Sequence, residues 1–132
     1  FQACTDPKQI PNWWGPAKYE TTVDRADVRP GGSWRFVSRD EEGNEYTFTG
    51  VYHDIVAPER VVQTFEFEGM PGHVSLETLT LEEDSDLPGK TKYVGVSVFQ
   101  SVEDRDGMVQ SGMQEGASEE MDRLAGVIQG LL

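Results

Sequence analysis

The C-terminal twenty residues place the tightest constraint on the fold. Met113, Ala117, Met121, Leu124, Ala125, Ile128 and Leu132 form one apolar stripe at helical period. Glu115, Glu119, Asp122 and Gln129 lie off that stripe, so the helix has a single face to bury. Nearly everything between Lys18 and Gln100 reads as strand, so a sheet is the expected partner of that face. The class is α+β, an antiparallel sheet packed on a long C-terminal helix.

Strand signals recur between turn signals. Residues 19–28 run into the turn Arg29-Pro30-Gly31-Gly32, and 33–39 then alternate, with Trp34 and Phe36 on one face and arginines on the other. Glu42-Gly43-Asn44 predicts a hairpin into 45–56, and Ala57-Pro58-Glu59 separates that strand from 60–68. Residues 73–83 switch their apolar face between Leu76 and Leu79, which predicts a bulge or a sharp bend. Residues 90–100 place Val94, Val96 and Val98 on one side. Connections this short favour antiparallel neighbours. Before Lys18 the texture is short helices, with Asp6 as N-cap to Pro7 and Trp13-Trp14-Gly15-Pro16 as the stop. Residues 103–110 suggest a further short helix ahead of Gly112.

At 132 residues one domain, 1–132, accounts for the chain. Its net charge of −13 argues against nucleic acid, whose phosphates demand a basic patch, and against a polybasic membrane anchor. Three Trp, six Phe and four Tyr supply too much apolar surface for a disordered acidic chain. No run approaches a membrane span. The lone Cys4 is compatible with a reducing cytoplasm, the expected location.

This order of elements, with these residues, resembles the SRPBCC superfamily (the START and Bet v 1-like helix-grip fold), and most closely its branch named for the activator of heat shock protein 90 ATPase. The resembling stretches are Thr5-Asp6-Pro7, Trp13-Trp14-Gly15-Pro16, and Arg29 through Phe36. Next come Gly50 through Phe67 with Ala57-Pro58-Glu59-Arg60-Val61-Val62, and Gly89-Lys90-Thr91-Lys92-Tyr93. Gly112-Met113-Gln114-Glu115-Gly116 and Arg123-Leu124-Ala125 complete the set. The resemblance implies a curved sheet gripping the long helix, with a cavity between them. It also implies a strand ahead of the first helix. Because the sequence opens at Phe1, already in that helix, a strand of roughly 6–10 residues is expected upstream or from another chain. The co-chaperone carries a further domain that has no counterpart in these 132 residues.

Each candidate site also has a purely structural reading. Trp13 and Trp14 either gate a ligand at a cavity rim or plug the end of the core. The Arg29–Gly32 stretch precedes a strand, so a tight turn is preferred over a phosphate cradle. His53 and His73 lack zinc spacing, and neighbouring strand residues such as His53 and Asp54 point to opposite faces. Glu45, Glu66, Glu68 and Glu77 alternate with apolar residues and are expected on the solvated face. No catalytic residue, metal or cofactor is expected.

The apolar inventory holds the ligand-binding expectation: Trp13, Trp14, Trp34, Phe36, Phe48, Tyr52, Phe65, Phe67, Leu76, Tyr93 and Val96 on the sheet side, with Met113, Met121 and Leu124 facing them from the helix. Aromatic strands opposed by flexible methionines suit an adaptable apolar ligand such as a lipid, sterol or polyketide. Binding of a small hydrophobic ligand without catalysis is therefore the favoured function. The alternatives are a stress-response or co-chaperone-like interaction module and a cyclase- or hydrolase-like enzyme in the same cavity; a homodimer is compatible with all three.

Overall fold

The computed structural model describes residues 1–131, with the backbone alone for Met113 and Leu131. Six strands follow a short helix, α1 (Gln2–Thr5), and a 3-10 turn (Ile10–Asn12): β1 (Glu20–Ala26), β2 (Ser33–Arg39), β3 (Glu45–Val56), β4 (Arg60–Phe67), β5 (Val74–Glu83) and β6 (Thr91–Phe99). Two helices complete the chain, α2 (Val102–Gln110) and α3 (Met113–Leu131). The strands pair in sequence order, every neighbour antiparallel, as their short turns require. Ser101 caps α2, its Oγ accepting from the Asp104 N–H at 3.0 Å, and Glu103 and Asp104 add negative charge at the positive end of that helix.

Two local expectations are corrected. Asp6 does not start a helix: it ends α1, and its Oδ1 accepts the Lys8 N–H at 2.9 Å in a turn. The strand irregularities fall between Val23 and Arg25 and between Tyr52 and Asp54. β5, where a bulge was expected, keeps regular register with both neighbours. Its alternation is unbroken: Leu76 points outward, while Ser75 and Glu77 point inward with Leu79. Polar residues occupy the inner face where the apolar pattern was assumed to continue.

The helix also sits differently from the expected stripe. Leu124 is buried and Met121 and Val127 are packed against the core, but Ala125 and Ile128 are exposed. The Met113 side chain and Leu132 lie outside the described residues. Among the described residues no α3 Cα comes within 8 Å of a strand Cα; the neighbours of α3 are α1, the 3-10 turn and α2. Leu124 therefore joins Ala3, Ile10 and Trp13 in the buried cluster. The N-terminal segment acts as a spacer that holds the helix off the sheet. No described helix is long and apolar enough to cross a membrane.

Gly126 lies in the middle of α3, and a Cβ there would meet nothing within 4 Å. Gly126→Ala is expected to raise the unfolding free energy by about 0.5–1 kcal/mol, read as a higher urea midpoint, because alanine loses less backbone entropy on entering a helix.

Candidate functional site

Holding α3 off the sheet leaves a cavity of about 570 Å³ between the concave face and the helix. Its aromatic wall follows from strand alternation: Phe36 on β2, Phe48 on β3, and Phe65 and Phe67 on β4 all point inward. Phe48 stacks on Phe65 with centroids 5.5 Å apart and lies 5.3 Å from Phe67. Trp14 caps this wall edge-on, 4.9 Å from Phe48 and 5.4 Å from Phe36.

The two tryptophans both border the cavity and differ in burial. Trp13 is buried, its Nε1–H donating to the Ala3 carbonyl at 2.8 Å, and it also lines the cavity. Trp14 faces the cavity. Its loop is clasped from α3: Arg123 Nη1 donates to the carbonyls of Trp14 (3.3 Å) and Gly15 (2.5 Å). Glu120 accepts the Gly15 N–H at 3.0 Å and Glu119 accepts the Ala17 N–H at 2.5 Å. Gly15 sits at φ +73°, a left-handed conformation that glycine adopts without strain.

Of the other residues singled out from the sequence, Tyr52 and Tyr93 also line the cavity. Trp34 is fully enclosed behind it, and Met121 and Leu124 are packed into the core away from the lining. Leu76 and Val96 are corrections. They are 41% and 52% exposed on the outer face, where they flank the inward positions of Glu77, Ser97 and Gly95. β6 alternates as expected, but its more apolar side, Val94, Val96 and Val98, faces solvent.

The sequence reading missed a polar row across the apolar floor. Tyr52 pairs with Gln63, Gln63 with Glu77, and Glu77 with Ser97, so one inward rung crosses β3 to β6. Glu77, expected on the solvated face, accepts the Ser75 hydroxyl at 2.8 Å and also the Ser97 hydroxyl. Tyr52 is 3% exposed, and burial pushes its hydroxyl up to about 12. Its position is fixed by the β1–β2 turn: Gly31 N–H donates to the Tyr52 carbonyl (2.7 Å), and Tyr52 N–H donates to Gly32 (2.8 Å). The Arg29–Gly32 stretch is thus the expected tight turn.

Across the cavity lie Cys4, from α1, and Glu120, from α3. Burial pushes the Cys4 thiol up. Burial also raises the Glu120 carboxyl above its ordinary 4.5, opposed by the Gly15 N–H and by Arg123. The Tyr93 hydroxyl is raised by burial first and then by Cys4, Glu120 and Glu77. His73 is instead engaged outside the cavity, with Asp104 of α2 at 2.9 Å.

A carboxyl whose folded pKa is raised stabilises the fold below its unfolded value and loses that contribution as pH rises through the folded value. Glu120→Gln keeps an oxygen for the Gly15 N–H but has no charge to desolvate. The variant is expected to lose less stability than the parent as pH rises above 4.5, measured as urea midpoints across that range. Equal slopes for both proteins would refute the assignment.

No curated protein matches the chain. Solved structures do. A protein from Arthrobacter aurescens is 25% identical with a TM-score of 0.85, over 98% of this chain and 77% of that one. One from Mycobacterium smegmatis is 25% identical with a TM-score of 0.82, over 96% and 79%. One from Rhodobacter sphaeroides shares the fold at a TM-score of 0.88 and 24% identity, over 99% and 83%. The family described as Activator of Hsp90 ATPase homolog 1-like protein matches residues 1–129, in line with the helix-grip architecture. The chain belongs to that family, within the SRPBCC superfamily.

Proposed function

We propose that the chain binds a small apolar ligand between the sheet and α3. The observation that carries this reading is the aromatic-walled space of about 570 Å³, within the 300–1,000 Å³ usual for small-molecule sites. A domain whose purpose was only to present an outer surface would have no need for a spacer under its helix. The same gap closed by side chains would gain burial at about 25 cal/mol per Å² of apolar surface.

Two measurements test the reading. Native mass spectrometry of freshly purified protein is expected to show a co-purifying small molecule. A titration with the neutral probe N-phenyl-1-naphthylamine is expected to saturate at one probe per chain and to quench tryptophan emission, since Trp14 faces the cavity. No saturable binding of the neutral probe would refute the proposal.

A second reading, a cyclase- or hydrolase-like enzyme, is favoured by the inward placement of Glu77 and Glu120. Carboxyls in such surroundings are candidates for proton transfer. The readings separate if the co-purifying molecule is incubated with protein and followed for conversion: an unchanged molecule supports binding alone.

A further inference from the structure

The ligand reading leaves open what sits at the polar end of the molecule, and the cavity lining is informative there. Among the described residues it includes Glu77 and Glu120 but no Lys, Arg or His. Arg123, the nearest balancing charge to Glu120, is turned to the carbonyls of Trp14 and Gly15. Tyr52 is 3% exposed and lines the cavity, so its hydroxyl borders the space a ligand would fill. A phenolic hydroxyl there can accept a hydrogen bond from a bound polar group. Each Glu77 oxygen accepts one serine hydroxyl, and a carboxylate offers about four acceptor positions. The rung therefore holds spare acceptors directed at the space a ligand would fill.

Resting on the ligand-binding reading, we infer that Tyr52, Gln63 and Glu77, with Glu120 opposite, form a subsite for the ammonium head of an apolar amine. An ammonium donates three hydrogen bonds and no acceptance, matching carboxylate and hydroxyl acceptors. A carboxylate head would face two like-charged groups in a space of low dielectric and find no cation to pair with. Fatty acids and other anionic lipids are refused on this account.

The test uses three probes on one ring system, 2-naphthylmethylamine, 2-naphthylmethanol and 2-naphthoic acid, measured by isothermal titration calorimetry with the whole chain near neutral pH. The amine is expected to bind about tenfold or more tighter than the acid, with the alcohol between them. Glu77→Gln is expected to shrink the amine-to-acid ratio by about tenfold. Gln63→Glu is expected to enlarge it, which keeps the test decisive should Glu77→Gln fold poorly. If the alcohol binds while the acid equals or exceeds the amine, the subsite is refuted and the apolar cavity survives. A ratio that neither variant moves also refutes the subsite. If all three probes fail to bind, the ligand-binding reading falls and the subsite falls with it.

Discussion

Gly50→Ala is expected to lower the unfolding free energy by about 3 kcal/mol, the upper end of what one inserted methyl costs in a tight interior. Gly50 lies on β3 opposite Trp34 of β2. A Cβ built there would stand 2.0 Å from the Thr64 carbonyl oxygen and 2.5 Å from Trp34 Nε1. Neither neighbour can yield cheaply. Thr64 O belongs to the backbone of β4, which is paired on both sides, and Trp34 is fully buried between Phe36 and Phe65. Relief would require separating β3 from β4, next to the register shift that already bends β3 at Tyr52. The contrast with Gly126→Ala isolates the cause. The same added methyl meets nothing on α3 and is stabilising there, whereas on β3 it meets backbone and indole. Urea denaturation of both variants checks the pair of signs. A loss below about 1 kcal/mol at Gly50 would mean that the sheet accommodates the methyl and that the close packing of Trp34 is not essential.

Much of the architecture was legible in the sequence because local chemistry specifies it. Turn residues fixed every hairpin: Gly43 and Gly89, for example, occupy left-handed positions between strands whose limits agree with the apolar alternation to within a residue or two. Which face of a strand looked inward was less legible. On β6 the more apolar set, Val94, Val96 and Val98, faces out, and Tyr93, Gly95, Ser97 and Phe99 face in. β-Branched residues suit an exposed strand surface for backbone reasons alone. The inner set contains Gly and Ser because it borders a space, not a packed core. A rule that equates apolar with inward fails wherever a cavity replaces side chains. The same rule misplaced Glu77, whose polarity is tolerated because Ser75 and Ser97 supply hydroxyls to it. The clasp of Arg123 and Glu120 on the Trp14–Gly15 loop joins residues more than a hundred positions apart, so no local pattern could announce it.

Gly95→Phe should close the cavity without harming the fold, and it separates a space kept for a ligand from an accident of packing. Gly95 pairs with Leu79 in the middle of the β5–β6 ladder and lines the cavity. Its backbone is not left-handed, and a Cβ there meets only Tyr93 Cε1, at an ordinary 3.6 Å. A phenyl ring grown from that point enters the aromatic-walled space, gains apolar burial and replaces a poor strand former with a good one. Stability is therefore expected to hold or rise. Binding of N-phenyl-1-naphthylamine is expected to weaken about tenfold or more, a loss of about 1.4 kcal/mol or greater. The two readouts move in opposite directions only if the space is both empty in the folded chain and the place where the probe sits. Unchanged probe affinity in a stable variant would place the binding site elsewhere. A destabilised variant would mean that β6 cannot carry an inward aromatic, and that the gap at Gly95 belongs to the packing of the sheet.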